Sequence, residues 1–139
     1  MNETTMASYA ATALRVATGG LFIAHGLMKV FVFTIPGTVG YFESLGLPAA
    51  LAYLIIFAEI IGGIGLVLGL ATRTIALATL PILLGATWVH SGNGWAFSSS
   101  GGGWEFPLFW AAVQLAVAML GSGAYALQLP AAKPIAQPS

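Results

Sequence analysis

The sequence predicts an all-α integral membrane protein, a four-helix bundle forming one domain with both termini in the cytoplasm. Three observations carry that prediction. Apolar residues make up 58% of the 139-residue chain and charged residues only 6%, against roughly 25% charged in soluble domains. A soluble surface built on so few charges would be poorly solvated. Four apolar stretches approach the ~20 residues needed to cross roughly 30 Å of hydrocarbon. Within the first stretch, the polar residues recur at helical spacing, as they would on a helix facing into a bundle.

The first span is expected over Ser8–Phe33, closed by Ile35-Pro36-Gly37. The segment before it, MNETTMASYA, has no positive charge, and the apolar run behind it is long and contains Arg15. That is not signal-peptide grammar, so the helix is expected to remain in the mature protein. Thr38–Leu47 is too short and polar to span. It reads as a brief interfacial helix with Tyr41, Phe42 and Leu45 on one side, ended by Leu47-Pro48. Leu51–Leu70 forms the second span and Thr74–His90 the third, separated by Gly69 and Ala71-Thr72-Arg73. Gly65 and Gly69 make a GxxxG pair that permits close helix contact in lipid. Pro81 is expected to kink the third span by crowding the Leu77 carbonyl. The run SGNGWAFSSSGGGW is a loop, Glu105–Leu127 the fourth span, and residues 128–139 an irregular tail.

An even number of spans puts both termini on one side. Arg15, Arg73 and Lys133 lie towards that side and Lys29 alone towards the other, which makes the terminal side cytoplasmic; the expected location is the inner (plasma) membrane. Net charge is zero and no basic run exists, so a nucleic-acid partner has no electrostatic support. The absence of cysteine removes disulfides, thiolate nucleophiles, iron–sulfur clusters and cysteine zinc sites. Redox chemistry would then need a bound cofactor.

Ionisable residues inside spans cost about 2.5–3.5 kcal/mol each on insertion scales, so each needs an explanation. Arg15, Thr18, Phe22, His25 and Lys29 are spaced 3, 4, 3, 4 and share one face of the first span. Glu59 falls near the middle of the second, with Gly62, Gly63 and Leu66 around it. Thr87 and His90 share a face at the end of the third, and Glu105 opens the fourth, where the helix dipole favours a carboxylate. At 1.5 Å per residue from residue 21, His25 lies about 6 Å and Lys29 about 12 Å towards the outer side. His25, Lys29, Glu59, His90 and Glu105 are therefore candidates for one polar pocket in the outer half of the bundle, suited to proton transfer at a quinone head group.

Plainer readings stand beside it. Glu59 can be an ion-pair partner of Lys29 or Arg15, Glu105 a helix start, and His90 an interfacial residue. Trp88, Trp95, Trp104 and Trp110 read as an aromatic belt. Haem ligation by His25 and His90 is disfavoured by depths about 6 Å apart, and no HxxH or ExxH spacing supports a metal site.

The stretches LRVATGGLFIAHGLMKVF, FESLGLPAALAYLIIFAEIIGGIGLVLGLATR, HSGN and GGGWEFPLFWAAVQLAVAMLGSGAYAL resemble the DoxX family of small bacterial and archaeal membrane proteins. Arg15, His25, Lys29, Glu59, Arg73, His90 and Glu105 fall on recurrent positions of that pattern. The resemblance implies four membrane helices. It also implies a link to thiosulfate:quinone oxidoreductases, to membrane complexes for thiol and oxidative-stress defence, or to quinone resistance. The first expectation is thus a non-autonomous subunit of a quinone-linked oxidoreductase, with other membrane or redox subunits, or copies of itself, as partners in the bilayer. The other readings are a dimeric proton-coupled transporter built on Glu59 and a structural accessory subunit whose buried charges are internal ion pairs.

Overall fold

A computed structural model describes residues 1–127; the tail expected over 128–139, with Lys133, lies outside the described residues. The described chain is all-helical: α1 Glu3–Phe31, α2 Ile35–Ser44, α3 Ala49–Leu68, α4 Thr72–His90 and α5 Glu105–Leu120, with a 3₁₀ turn at Ser91–Asn93. Three helices are long and apolar enough to cross a membrane: α1, α3, and α4 with its 3₁₀ extension.

Local chemistry sets most of the ends. The Asn2 side chain accepts the Thr5 N–H at 2.9 Å and starts α1. Thr34 caps α2 by accepting from the Gly37 N–H, with Pro36 in the first turn. Gly69 closes α3 in the left-handed conformation, φ 81°, and the Leu70 N–H returns to Gly65 O at 2.9 Å. Pro81 lies inside α4 without ending it.

The helices pack chiefly as two pairs, α1 on α3 and α4 on α5. Phe22, Leu66, Ala76, Leu83, Trp110, Ala111, Val117 and Ala118 form the core between them. Small residues let α1 and α3 approach backbone to backbone. A Cβ on Gly63 would stand 2.7 Å from Gly19 O, and a Cβ on Gly19 would stand 2.8 Å from Gly63 O. Of the expected Gly65/Gly69 pair, Gly65 admits a close helix neighbour, Ile75 of α4, whereas Gly69 lies past the end of α3 as its cap. Close packing of this kind needs no hydrophobic drive and so works in lipid as in water.

Two further expectations change. α5 stops at Leu120, seven residues before the expected end of the fourth span at Leu127. Its 16 residues cover about 24 Å. Gly121 (φ 80°) and Gly123 (φ 68°) turn the chain back, and the freed backbone is taken up elsewhere. The Ser122 and Ala124 carbonyls accept from Arg15, and the Leu127 N–H donates to Leu68 O at 2.9 Å. Trp110 is not part of a surface belt. It is 6% exposed and belongs to the core, whereas Trp88 and Trp95 are exposed.

The crossing gives a direct test. Gly63→Val should destabilise the fold by about 1–3 kcal/mol through overpacking, while Gly20→Ala, whose added Cβ meets nothing within 4 Å, should be near neutral. Unfolding in detergent micelles checks both, and equal stability of the two variants would refute the close approach.

Candidate functional site

The polar seam of α1 faces the bundle, and each of its members has a distinct partner. At the end of α1 nearest the α4–α5 loop, Lys29 Nζ donates to both oxygens of Glu59, at 3.1 and 2.9 Å. The Glu59 side chain is 6% exposed and that of Lys29 20%, so the carboxylate is held inside while the ammonium retains a path outwards. Gly26 makes this possible: a Cβ there would crowd Ile60 and come within 3.3 Å of Glu59 Cβ. The buried Thr38 hydroxyl of α2 donates to Lys29 O at 3.0 Å and ties the short helix to this end of α1. Of the two expected partners for Glu59, Lys29 and Arg15, the structure selects Lys29.

His25 sits one turn before Lys29 on the same face of α1. Its Nδ1 lies 2.8 Å from Leu21 O. A carbonyl can only accept, so Nδ1 carries the proton and Nε2 is the ring nitrogen left open. The imidazole also packs on Trp110, with ring centroids 5.0 Å apart.

His90 and Glu105 serve the α4–α5 loop. Asn93 Nδ2 approaches His90 Nδ1 at 3.4 Å and donates to Gly102 O at 3.0 Å. Glu105, in the first turn of α5, accepts the Phe97 N–H at 3.0 Å. Trp95, Phe97, Trp104, Phe106 and Phe109 surround a hollow of about 530 Å³ beside it. Among the described residues, no hydrogen bond or ion pair joins His90 or Glu105 to Lys29, Glu59 or His25. The five candidates thus fall into a core group of three and a loop group of two.

Arg15 departs furthest from expectation. Among the described residues it has no carboxylate partner, which corrects its place among the ion-pair candidates. It is 1% exposed and donates to four backbone carbonyls: Ser122 O at 2.8 Å, Leu66 O at 2.9 Å, Val67 O at 2.7 Å and Ala124 O at 3.0 Å. Two of these lie in the last turn of α3, where the helix dipole is negative, and Leu66 O also accepts the Gly69 N–H at 3.2 Å.

A further polar group was missed by attention to ionisable residues alone. Trp110 Nε1 donates to Thr18 Oγ1 at 2.6 Å, Thr18 Oγ1 to Gln114 Oε1 at 2.7 Å, and Gln114 Nε2 to Thr79 Oγ1 at 2.6 Å. The available signal was Gln114 itself, an amide in the middle of an apolar helix that must find a partner.

With this geometry in place, comparison with known proteins identifies the lineage. The DoxX family model matches residues 10–92. The chain belongs to the DoxX family. This DoxX protein is a membrane protein, and the matched region holds Arg15, His25, Lys29, Glu59 and His90 but ends before Glu105, Trp110 and Gln114. It is similar to a Bacillus subtilis (strain 168) protein named "Putative oxidoreductase CatD", 44% identical over 73 residues, which are 52% of this chain and 53% of that one. The chain spans about half the length of this curated relative. No solved structure matches it.

Two predictions follow from the charges. Arg15→Met should leave the Val67 and Ser122 carbonyls without donors at about 1–3 kcal/mol apiece, while Ala124 O keeps the Thr12 hydroxyl and Leu66 O the Gly69 N–H. Arg15→Lys should recover only part of the loss, since an ammonium cannot reproduce the guanidinium fork. Thermal unfolding in micelles ranks the three proteins; a Lys variant as stable as wild type would contradict the four-carbonyl arrangement. For Lys29 and Glu59, neutralising one partner should destabilise more than neutralising both. A double-mutant cycle should return a coupling of about 1–3 kcal/mol, and a coupling near zero would show that the pair contributes nothing.

Proposed function

We propose that this DoxX protein is a membrane subunit of a quinone-linked oxidoreductase or oxidative-stress complex. In this reading it lies in the plasma membrane as a four-span bundle with cytoplasmic termini. The short α5 and the segment behind it complete the fourth crossing. Lys29, Glu59 and His25 form the proton-handling end of a quinone-facing site, with His90 and Glu105 at its loop rim.

The observation that carries the reading is the buried, two-contact Lys29–Glu59 pair beside an imidazole with one free nitrogen. An ion pair needed only to join α1 to α3 has no use for the histidine. Carboxylate, ammonium and imidazole together in a low-dielectric setting are the groups that store and pass protons. The name of the Bacillus relative points the same way, towards an oxidoreductase.

The donor set fits a quinone head group. Lys29 Nζ has three N–H bonds, and the two contacts with Glu59 leave one for an incoming carbonyl oxygen. Trp110 and Phe106, whose rings lie 5.8 Å apart, bring aromatic surface to the same region. A quinone is reduced to quinol by two electrons and two protons. This chain has no cysteine to carry electrons, so they come from a partner subunit. Lys29 Nζ would donate its remaining N–H to a quinone oxygen, with Glu59 stabilising the cationic form of Lys29. His25 Nε2, an acceptor in the Nδ1–H tautomer, would first take up a proton from the medium and only then pass it on.

The test is the assembled complex carrying Glu59→Gln or His25→Ala. Quinone-dependent turnover should fall at least tenfold in each while the complex remains intact. If both variants turn over quinone at the wild-type rate, the pair is a structural tie and the reading fails.

A further inference from the structure

The central hydrogen-bonded chain beneath the Lys29–Glu59 pair has a geometry that hydrophobic packing does not call for. Thr18, Gln114 and Thr79 come from α1, α5 and α4, and all three are buried. A Phe at position 110 would fill an apolar slot without polar partners. Trp110 instead brings an N–H that must be received, and three further polar side chains are enclosed to receive it. The chain terminates on backbone, with Thr79 Oγ1 donating to Ile75 O at 2.7 Å. No described buried side-chain nitrogen or oxygen is left without a partner, so the indole cannot turn without breaking a satisfied network.

That fixed indole bears on one titratable group. Its ring lies 5.0 Å from the His25 ring at an interplanar angle of 55°, and Phe22 and Phe106 pack against it at 4.6 and 5.8 Å. We propose that Trp110 is a positioning residue for His25, locked by the strut Thr18–Gln114–Thr79. The proposal rests on the reading of His25 as part of the proton-handling site. His25 is then restrained at two points, its Nδ1–H on Leu21 O and its face on the indole. Together they hold the ring in the tautomer that leaves Nε2 open. Neither restraint alone suffices. The carbonyl bond permits the ring to swing, and the indole contact does not select a nitrogen. Trp110 and Gln114 therefore act on the site through His25 and touch no substrate.

The test is ¹⁵N spectroscopy of the full chain in lipid bilayers, labelled at histidine, with the His25 signals assigned by His25→Ala. Wild-type protein should show His25 as one Nδ1–H tautomer. Gln114→Leu keeps the indole but cuts the strut. Together with Trp110→Phe, it should move the His25 nitrogens towards the averaged shifts of a mixed-tautomer imidazole, with His90 unchanged as internal reference. Thr87→Val removes a hydroxyl bonded only to Leu83 O in its own helix and should leave His25 as in wild type. If Gln114→Leu and Trp110→Phe lower thermal stability while the His25 pattern stays as in wild type, the strut is packing alone and the proposal is overturned. The spectrum needs neither quinone nor electron donor. A His25 response of the expected kind beside unaltered quinone turnover in both the Glu59→Gln and the His25→Ala complexes would sink the proposed function and leave the positioning role standing.

Discussion

Arg15 carries a full charge that is withdrawn from solvent, and satisfying it organises one end of the molecule. Its guanidinium draws carbonyls from two separate places, the end of α3 and the segment after α5. Bringing them together requires α1 and α3 to lie close, which Gly19 and Gly63 allow. The early end of α5 leaves the Ser122 and Ala124 carbonyls outside the helix ladder, where they meet the guanidinium. Gly69 follows from the same arrangement, since Arg15 Nη1 lies 3.0 Å from where its Cβ would be. The charge, the helix crossing and the early end of α5 are therefore one structural event seen from three sides.

At the other end the same face of α1 uses a different solution. Lys29 finds a carboxylate, and the pair retains some exposure to its surroundings. The contrast separates a cation satisfied by backbone from one satisfied by a carboxylate. Arg15 stays charged under any ordinary condition and its donors are consumed by backbone. Lys29 and Glu59 face each other through two hydrogen bonds, with His25 one turn earlier on the same helix as Lys29. Between the two ends, the Trp110–Thr18–Gln114–Thr79 chain joins three helices through side chains only. In a low-dielectric core such a chain specifies one arrangement of its members, because every alternative leaves a donor or acceptor unpaired.

The sequence by itself determined the solvent and the helical content, because composition and span length depend on how many apolar residues occur and not on their partners. It also determined which face of α1 turns inwards, since a 3–4 spacing has one helical interpretation. It placed Glu59 and Lys29 in reach of each other but left Arg15 as a rival, for charges were the only partners considered. Only the tertiary structure decided that a guanidinium would be satisfied by backbone carbonyls, which every residue has and no sequence pattern marks. The same reason hid the end of α5: seven further residues read as span, and a distant arginine had claimed two of their carbonyls. The role of Trp110 was likewise out of reach of the sequence. An indole is equally suited to a membrane interface and to a core, and the choice rested on Thr18, 92 positions away along the chain.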